Sequence, residues 1–244
     1  MKIVTLIPAR MGSTRLPNKP LADISGVPMI IQVVRRAIEA GISDIIVAAA
    51  EKEIVEVVEK AGGKAILTDP ELPSGTDRIH EALQKMLHNQ NVDIIVNIQG
   101  DLPTIEPKVI KAAIDLIKEG EYDITTAAAE ITEEAEKTNP NVVKAVIGWT
   151  TPTTGRAFNF TRTPTPAQDG KYYHHIGLYV YKRAALEKFV ALPQSEGEKR
   201  ERLEQLRALE NGMTIGVVKT DIVPLGVDTQ EDLEKARKML GHKQ

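Results

Sequence analysis

Cysteine is absent from all 244 residues. That removes disulfides, thiolate nucleophiles and Cys-based zinc sites together, so any metal would be held by oxygen or imidazole ligands. No apolar run approaches the roughly 18 residues of a membrane-spanning helix. The chain passes from Met1-Lys2 straight into Ile3-Val4-Thr5-Leu6-Ile7 and Pro8, without the apolar region or cleavage site of a secretory signal. The expectation is a cytoplasmic protein with no membrane span. Neither sign of charge dominates: 31 Lys plus Arg face 34 Asp plus Glu, a net of −3. That argues against a polyanion-binding surface over the whole molecule, and no nucleic-acid partner is expected, while a small local basic site stays open. Aromatic residues are scarce at 4%, yet 42% of the chain is apolar, enough to bury the core of one large domain or of one carrying a smaller insertion.

What is present is alternation. Ile3 to Ile7 reads as a strand that breaks at Pro8, and Ile30, Val33, Val34, Ala37, Ile38 and Gly41 recur at helical spacing. Asp44 to Ala48 reads as a strand. Ile54, Val55, Val57, Val58 and Ala61 predict a helix ended by Gly62-Gly63 in the left-handed conformation. Lys64 to Leu67 follows as a strand, then a helix face of Ile79, Ala82, Leu83, Met86 and Leu87, then a buried strand at Asp93 to Ile98. Such βα repetition builds an α/β fold, an open mainly parallel sheet with helices on both faces, with ligands at the C-terminal ends of its strands. After Asp123 the pattern blurs into turn-rich stretches with short strands at Val142 to Ile147 and Ile176 to Tyr181. This predicts a single domain over 1–244 with a small, partly antiparallel subdomain at about 130–190, a possible dimerisation arm. A helix from Glu198 to Asn211 capped by Gly212, a strand at Thr214 to Lys219 and a helix after Asp228-Thr229 close the chain.

The turn after the first strand, Arg10-Met11-Gly12-Ser13-Thr14-Arg15-Leu16-Pro17-Asn18-Lys19-Pro20-Leu21, packs three cations, a glycine and two hydroxyls where an α/β sheet binds ligands. This is the chemistry of an anion cradle: the glycine admits phosphate oxygens to the backbone, the hydroxyl of Ser13 donates, and Arg10, Arg15 and Lys19 offset charge. The loop matches neither G-x-x-x-x-G-K-[ST] nor G-x-G-x-x-G, which disfavours a Walker-type triphosphatase and a dinucleotide-binding domain. Asn97-Ile98-Gln99-Gly100-Asp101-Leu102-Pro103 ends the apolar strand and places Asp101 to hold a hard cation. Mg²⁺ commonly takes one or two carboxylates plus phosphates and water, and Asp228 is the best second acid, although an Asp or Thr before a helix also serves as its N-cap.

Ser74-Gly75-Thr76-Asp77-Arg78 offers hydroxyls and a guanidinium to a ligand, with capping by Thr76 or Asp77 as the alternative. Tyr173-His174-His175 suggests a metal pair only superficially, because strand neighbours point to opposite faces; one imidazole could face a ligand while the other packs. The run from Glu198 to Arg207 reads mainly as a solvated helix face, with Glu204 and Gln205 within reach of a polyol.

These motifs in this order resemble the 3-deoxy-manno-octulosonate cytidylyltransferase (CMP-Kdo synthetase) family along nearly the whole chain: the Arg10–Leu21 loop, Ser74–Arg78, Gln99-Gly100-Asp101, His175-Ile176-Gly177, Leu203–Arg207 and Gly226-Val227-Asp228-Thr229. The resemblance implies a nucleotide-diphospho-sugar transferase-like fold. It implies transfer of CMP from CTP to 3-deoxy-D-manno-octulosonate (Kdo) with release of pyrophosphate, on the way to lipopolysaccharide, by a homodimer. In that reading Arg10 and Lys19 hold the triphosphate, and Asp101 and Asp228 coordinate Mg²⁺. Ser13, Arg15, Ser74, Arg78 and Gln99 line the nucleotide and sugar pocket, and His175, Glu204 and Gln205 contact the sugar acid. The family's usual Gln-Gly-Asp-Glu-Pro is Gln99-Gly100-Asp101-Leu102-Pro103 here, so Asp228 carries more of the metal site. His174 stands where an arginine is usual, Ala50-Glu51 where an acidic pair is, and Gly197 where a leucine often starts a helix. The alternatives are a cytidylyltransferase for sialic acid or an 8-amino relative of Kdo, and a nucleotide-sugar binding module without turnover.

Overall fold

Four parallel strands carry the first of two units into which the chain divides, residues 1–110 with 224–244; the second unit is residues 111–223. The computed structural model describes residues 1–42, 44–86 and 91–241. In chain order the first unit holds β1 (Ile3–Ala9), a 3₁₀ turn at Lys19–Leu21, the hairpin strands β2 (Asp23–Ile24) and β3 (Val27–Pro28), α1 (Met29–Glu39), β4 (Ile45–Ala49) and α2 (Lys52–Lys60). It continues with β5 (Lys64–Leu67), α3 (Gly75–Met86), β6 (Ile94–Ile98), the start of α4 (Pro107–Lys118) and, from the C-terminal segment, α9 (Gln230–Gly241). The sheet order is β5-β4-β1-β6, with every pairing parallel. β4 and β6 are buried at every position, which is why they read as unbroken apolar runs. The fold class is α/β.

β1 does not break at Pro8; it runs on to Ala9. Thr5 N donates to Asp44 O on the β4 side, so alternation turns the Pro8 nitrogen to the β6 side. There the pairing has already ended at Leu6 with Asn97, and the missing N–H costs no ladder bond. Gly62, at φ 79°, ends α2 as expected. Ile38 is exposed despite fitting the helical pattern of α1. Leu87, assigned to a helix face from spacing, lies outside the described residues.

The second unit holds the rest of α4, β7 (Ile124–Glu130), α5 (Glu134–Thr138), β8 (Lys144–Trp149), β9 (Thr154–Thr161), β10 (Tyr173–Lys182), α6 (Arg183–Ala191), α7 (Glu196–Glu201), α8 (Gln205–Glu210) and β11 (Ile215–Thr220). Its strands lie in the order β10-β7-β11-β9-β8. Only β7–β11 is parallel among these neighbours; β10–β7, β11–β9 and β8–β9 are antiparallel. β10 bulges between Ile176 and Tyr179, and the Thr126 hydroxyl fills the irregularity by donating to Leu178 O at 2.7 Å. The turn-rich stretch expected at about 130–190 falls within this unit.

The single helix expected from Glu198 to Asn211 is two. Arg202 takes a left-handed conformation (φ 57°) and separates α7 from α8, while Gly212 ends α8 at φ 72°. Ser195 starts α7 with a capping box: its hydroxyl accepts from Glu198 N, and the Glu198 carboxylate accepts from Ser195 N. The run is also not a solvated face, since Glu198, Leu203, Gln205, Leu206 and Arg207 are all buried. No helix among the described residues is long and apolar enough to cross a membrane.

Candidate active site

Strand order reverses at β1, with β4 on one side and β6 on the other, and an open parallel sheet forms its ligand crevice at such a reversal. A cavity of about 480 Å³ lies in the first unit, lined by the loops that follow β1 and β6. It gathers nine of the residues singled out from sequence: Arg10, Ser13, Arg15 and Lys19 from the first loop, Ser74 and Arg78 from the start of α3, Gln99 and Asp101 from the second loop, and Asp228. Backbones meet closely at its base. A Cβ on Gly100 would stand 2.7 Å from Pro8 O, so only glycine fits there.

Convergence of the two distant acids has an apolar cause. Leu16 and Val227 share a cluster with Ile24, Met29, Leu233, Ala236 and Leu240 of the hairpin, α1 and α9, and burying that cluster draws the first loop against the segment before α9. Two further links finish the placement: Val227 N donates to Asp101 O at 2.9 Å, and Leu225 N donates to Thr104 Oγ1 at 2.7 Å. Asn18, in the left-handed conformation, then turns the chain into the 3₁₀ helix that opens with Lys19.

The Lys19 ammonium donates to Asp101 Oδ2 at 2.8 Å and to Asp228 Oδ1 at 2.9 Å. Arg15 meets the other oxygen, Asp228 Oδ2, at 3.0 Å. Burial alone would push the Lys19 ammonium down, but the charges and hydrogen bonds of Asp101 and Asp228 outweigh it and raise its pKa. Asp228 is not the cap of α9. Thr229 is, its hydroxyl accepting from Asp232 N while Asp232 Oδ2 accepts from the Thr229 N–H and O–H. The Asp228 carboxylate is thereby left to the cavity.

α3 is capped by Ser74 rather than by Thr76 or Asp77: its hydroxyl accepts from Asp77 N and donates to Asp77 Oδ2 at 2.6 Å. Arg78 is buried and holds the segment before α3, donating to Thr68 Oγ1 at 2.6 Å, Asp69 O at 2.9 Å and Pro70 O at 3.4 Å. Burial lowers its pKa, Glu51 opposes that, and the charge of Arg10 adds to it. Arg10 itself is exposed and donates no hydrogen bond among the described residues. Gln99 Nε2 donates to Asn97 Oδ1 at 3.2 Å. Glu51 was singled out only as half of an altered acidic pair; here it pins the loop, Oε2 accepting from Met11 N at 3.0 Å. Neither Glu51 nor Thr104 carries a motif that would have announced these roles.

Oxygen ligands from two carboxylates suit a hard divalent ion. An ammonium already bridges Asp101 and Asp228, so a cation fits between them. Among the described residues no group of three or more His, Cys, Asp or Glu forms a metal cage, which would leave the remaining positions to phosphate oxygens and water. Leu102, in place of the usual glutamate, is buried, 3.9 Å from where a Cβ on Gly226 would stand.

His175, Glu204 and Gln205 belong to the second unit. His175 is buried, shares a 2.9 Å hydrogen bond with Thr126 Oγ1 and packs edge-on against Phe160. Burial, and then the charge of His174, pushes its pKa down to about 3, so the ring is neutral at physiological pH. His174 lies 3.6 Å from Glu136, and burial lowers its pKa against the opposing charge of Glu136. Gln205 is buried at the start of α8 and Glu204, just before it, is half-buried. Gly197 N donates to Glu210 Oε2 at 3.3 Å, and a Cβ at Gly197 would overlap that carboxylate.

A family model described as cytidylyltransferase matches residues 4–215. The chain is 56% identical over 240 residues to the 3-deoxy-manno-octulosonate cytidylyltransferase of Parvibaculum lavamentivorans, covering 98% of this chain and 93% of that one. It is 55% identical over 240 residues to the protein of the same name from Rhodospirillum rubrum, covering 98% and 95%. A solved structure of CMP:2-keto-3-deoxy-manno-octonic acid synthetase complexed with CTP matches at TM-score 0.92 and 36% identity, covering 100% of both chains. A cytidylyltransferase from Leptospira borgpetersenii, 19% identical at TM-score 0.64 and covering 99% of this chain and 87% of that one, shares the fold.

Proposed function

The chain belongs to the 3-deoxy-manno-octulosonate cytidylyltransferase family, and we propose from that premise that it transfers CMP from CTP to Kdo and releases pyrophosphate. One observation carries the assignment of the site: Asp101 and Asp228, far apart in the chain, reach the same Lys19 ammonium inside a cavity rimmed by Arg10 and Arg15. A polyphosphate seated there meets cations from the first loop, and a divalent ion meets two carboxylates. The anomeric hydroxyl of the sugar acid attacks the α-phosphorus, the new P–O bond forms as the α–β bridging bond breaks, and pyrophosphate leaves. Such transfer needs in-line positioning and charge stabilisation rather than a protein nucleophile, so a chain without cysteine loses nothing.

Each group has a role in this reading. Arg10 and Lys19 bind the triphosphate and offset the charge that builds on the departing pyrophosphate. Asp101 and Asp228 would hold Mg²⁺, which supplies further neutralisation of the phosphates when bound. Ser13 and Arg15 extend the cradle, and Gln99 offers an amide to the nucleotide or sugar. Arg78 shapes the wall by tethering Thr68 to Pro70, and Ser74 by capping α3. His175, Glu204 and Gln205 are assigned to the sugar acid. The product would serve lipopolysaccharide synthesis in the cytoplasm, and the assembly would be a homodimer.

Incubating the protein with CTP, Mg²⁺ and Kdo while following pyrophosphate tests the proposal, and release should require all three. His174 in the usual arginine position makes sialic acid and 8-amino-Kdo the comparison acceptors. Release with one of those alone would move the acceptor, and tight CTP binding without release would leave a binding module. Asp101→Asn and Asp228→Asn should each lower Mg²⁺-dependent turnover by roughly a hundredfold or more, with the fold retained by circular dichroism; near-normal rates in both would remove the metal assignment.

A further inference from the structure

We propose that Lys19 and Arg15 are exchangeable internal counter-cations of the acidic pair: they compete with a divalent ion for the same carboxylates, and a triphosphate that draws them away admits the ion. The inference rests on the reading of Asp101 and Asp228 as the metal-holding pair and adds an order to it.

Three of the four carboxylate oxygens of the pair are engaged. Lys19 takes Asp101 Oδ2 and Asp228 Oδ1, and Arg15 takes Asp228 Oδ2. An ammonium is a compact point charge, and this one sits between the two carboxylates where a metal ion would have to sit. A second cation entering beside it would meet repulsion and find few free oxygens. Both side chains come from the loop that lines the cavity, so a polyphosphate seated there competes with the carboxylates for the same two cations.

The loop is built for such an exchange. Leu16, next to Arg15, is anchored in the apolar cluster under α9, and Pro20, next to Lys19, is buried. The backbone therefore stays in place while two long, flexible side chains change partners. Arg15 is mostly exposed and its pairing is cheap to break, whereas Lys19 is much less exposed and forms the stronger part of the closure. Because cation and metal compete for one pair of carboxylates, removing the cation must tighten metal binding even with no nucleotide present.

Mn²⁺ binding to the nucleotide-free, full-length protein, followed by electron paramagnetic resonance, tests this without any turnover. Lys19→Gln should bind Mn²⁺ at least about fivefold tighter than the wild type, Arg15→Gln should show a smaller gain in the same direction, and Lys19→Arg, which keeps the charge, should stay near wild type. As a second readout, added Mn²⁺ should raise the melting temperature of Lys19→Gln more than that of the wild type. Equal or weaker Mn²⁺ binding by Lys19→Gln, with binding still abolished by Asp101→Asn, overturns the exchange while leaving the acidic pair intact. Unchanged Mn²⁺ binding by Asp101→Asn and Asp228→Asn in the presence of CTP overturns both readings.

Discussion

Two carboxylate–cation clusters, one in each unit, use the same chemistry to opposite ends. Lys19, Asp101 and Asp228 have side-chain exposures of 16%, 33% and 46%; Lys19 opens a 3₁₀ turn and the two acids sit on loops. Glu198 and Arg207 are 4% and 7% exposed. Arg207 Nε and an η nitrogen donate to the two Glu198 oxygens at 2.8 and 2.5 Å, Phe189 stacks on the guanidinium at 4.6 Å, and Ser195 occupies the carboxylate further through the capping box. Water can replace either partner in the first cluster. In the second nothing can, so it locks α7 to α8 across the left-handed Arg202. Solvent access, rather than residue type, separates an ion pair that exchanges from one that only holds the fold together.

The contrast breaks most visibly at Arg207. Arg207→Met strands a buried carboxylate and should cost about 3–5 kcal/mol of folding stability, read from urea denaturation. Replacing both partners, Glu198→Leu with Arg207→Met, should recover much of that loss. A single variant within about 1 kcal/mol of wild type would place this pair in the same class as the exposed one.

His175 sharpens the same point in terms of pH. Its ordinary pKa of 6.5 is pushed to about 3 in the folded chain, by burial and then by the charge of His174. Between those values the unfolded chain binds the proton and the folded one does not. The stability from the neutral ring is therefore complete above pH 6.5 and is lost as pH falls towards 3, by at most about 1.4 kcal/mol per pH unit. Against His175→Gln, the wild type should lose stability faster over that window; parallel curves would show that the imidazole is not held neutral.

The smallest effect belongs to the exposed pair. Arg15→Ala removes a contact with Asp228 whose side chains are 64% and 46% exposed, and folding stability should change by less than about 1 kcal/mol. A larger loss would mean that the first loop depends on this pair for its fold as well as for its charge.

Much of the first unit was legible because its signals are local. The apolar runs of β4 and β6, the Gly62 terminus of α2, and the cations, glycine and hydroxyls after β1 follow from neighbours in the chain. β7 was missed because the three alanines and the glutamate that end Ile-Thr-Thr-Ala-Ala-Ala-Glu are poor strand formers, and because its partners β10 and β11 lie far along the chain. One helix was expected over Glu198 to Asn211 because its periodicity does not reveal that Arg207 folds back onto Glu198. The choice between Asp228 and Thr229 as the cap depended on Asp232, one turn further on, reaching back to the threonine.

By itself the sequence determined the α/β scaffold and the family to which these motifs belong, and it singled out the cations after β1 and the two distant acids as residues to watch. Residue type and short spacing are enough for that. Only the tertiary structure decided which acid meets which cation. Lys19 is 82 residues from Asp101 and 209 from Asp228, and separations of that size are closed by packing of the apolar cluster around Leu16 and Val227, a cooperative property of the folded core rather than of any local segment.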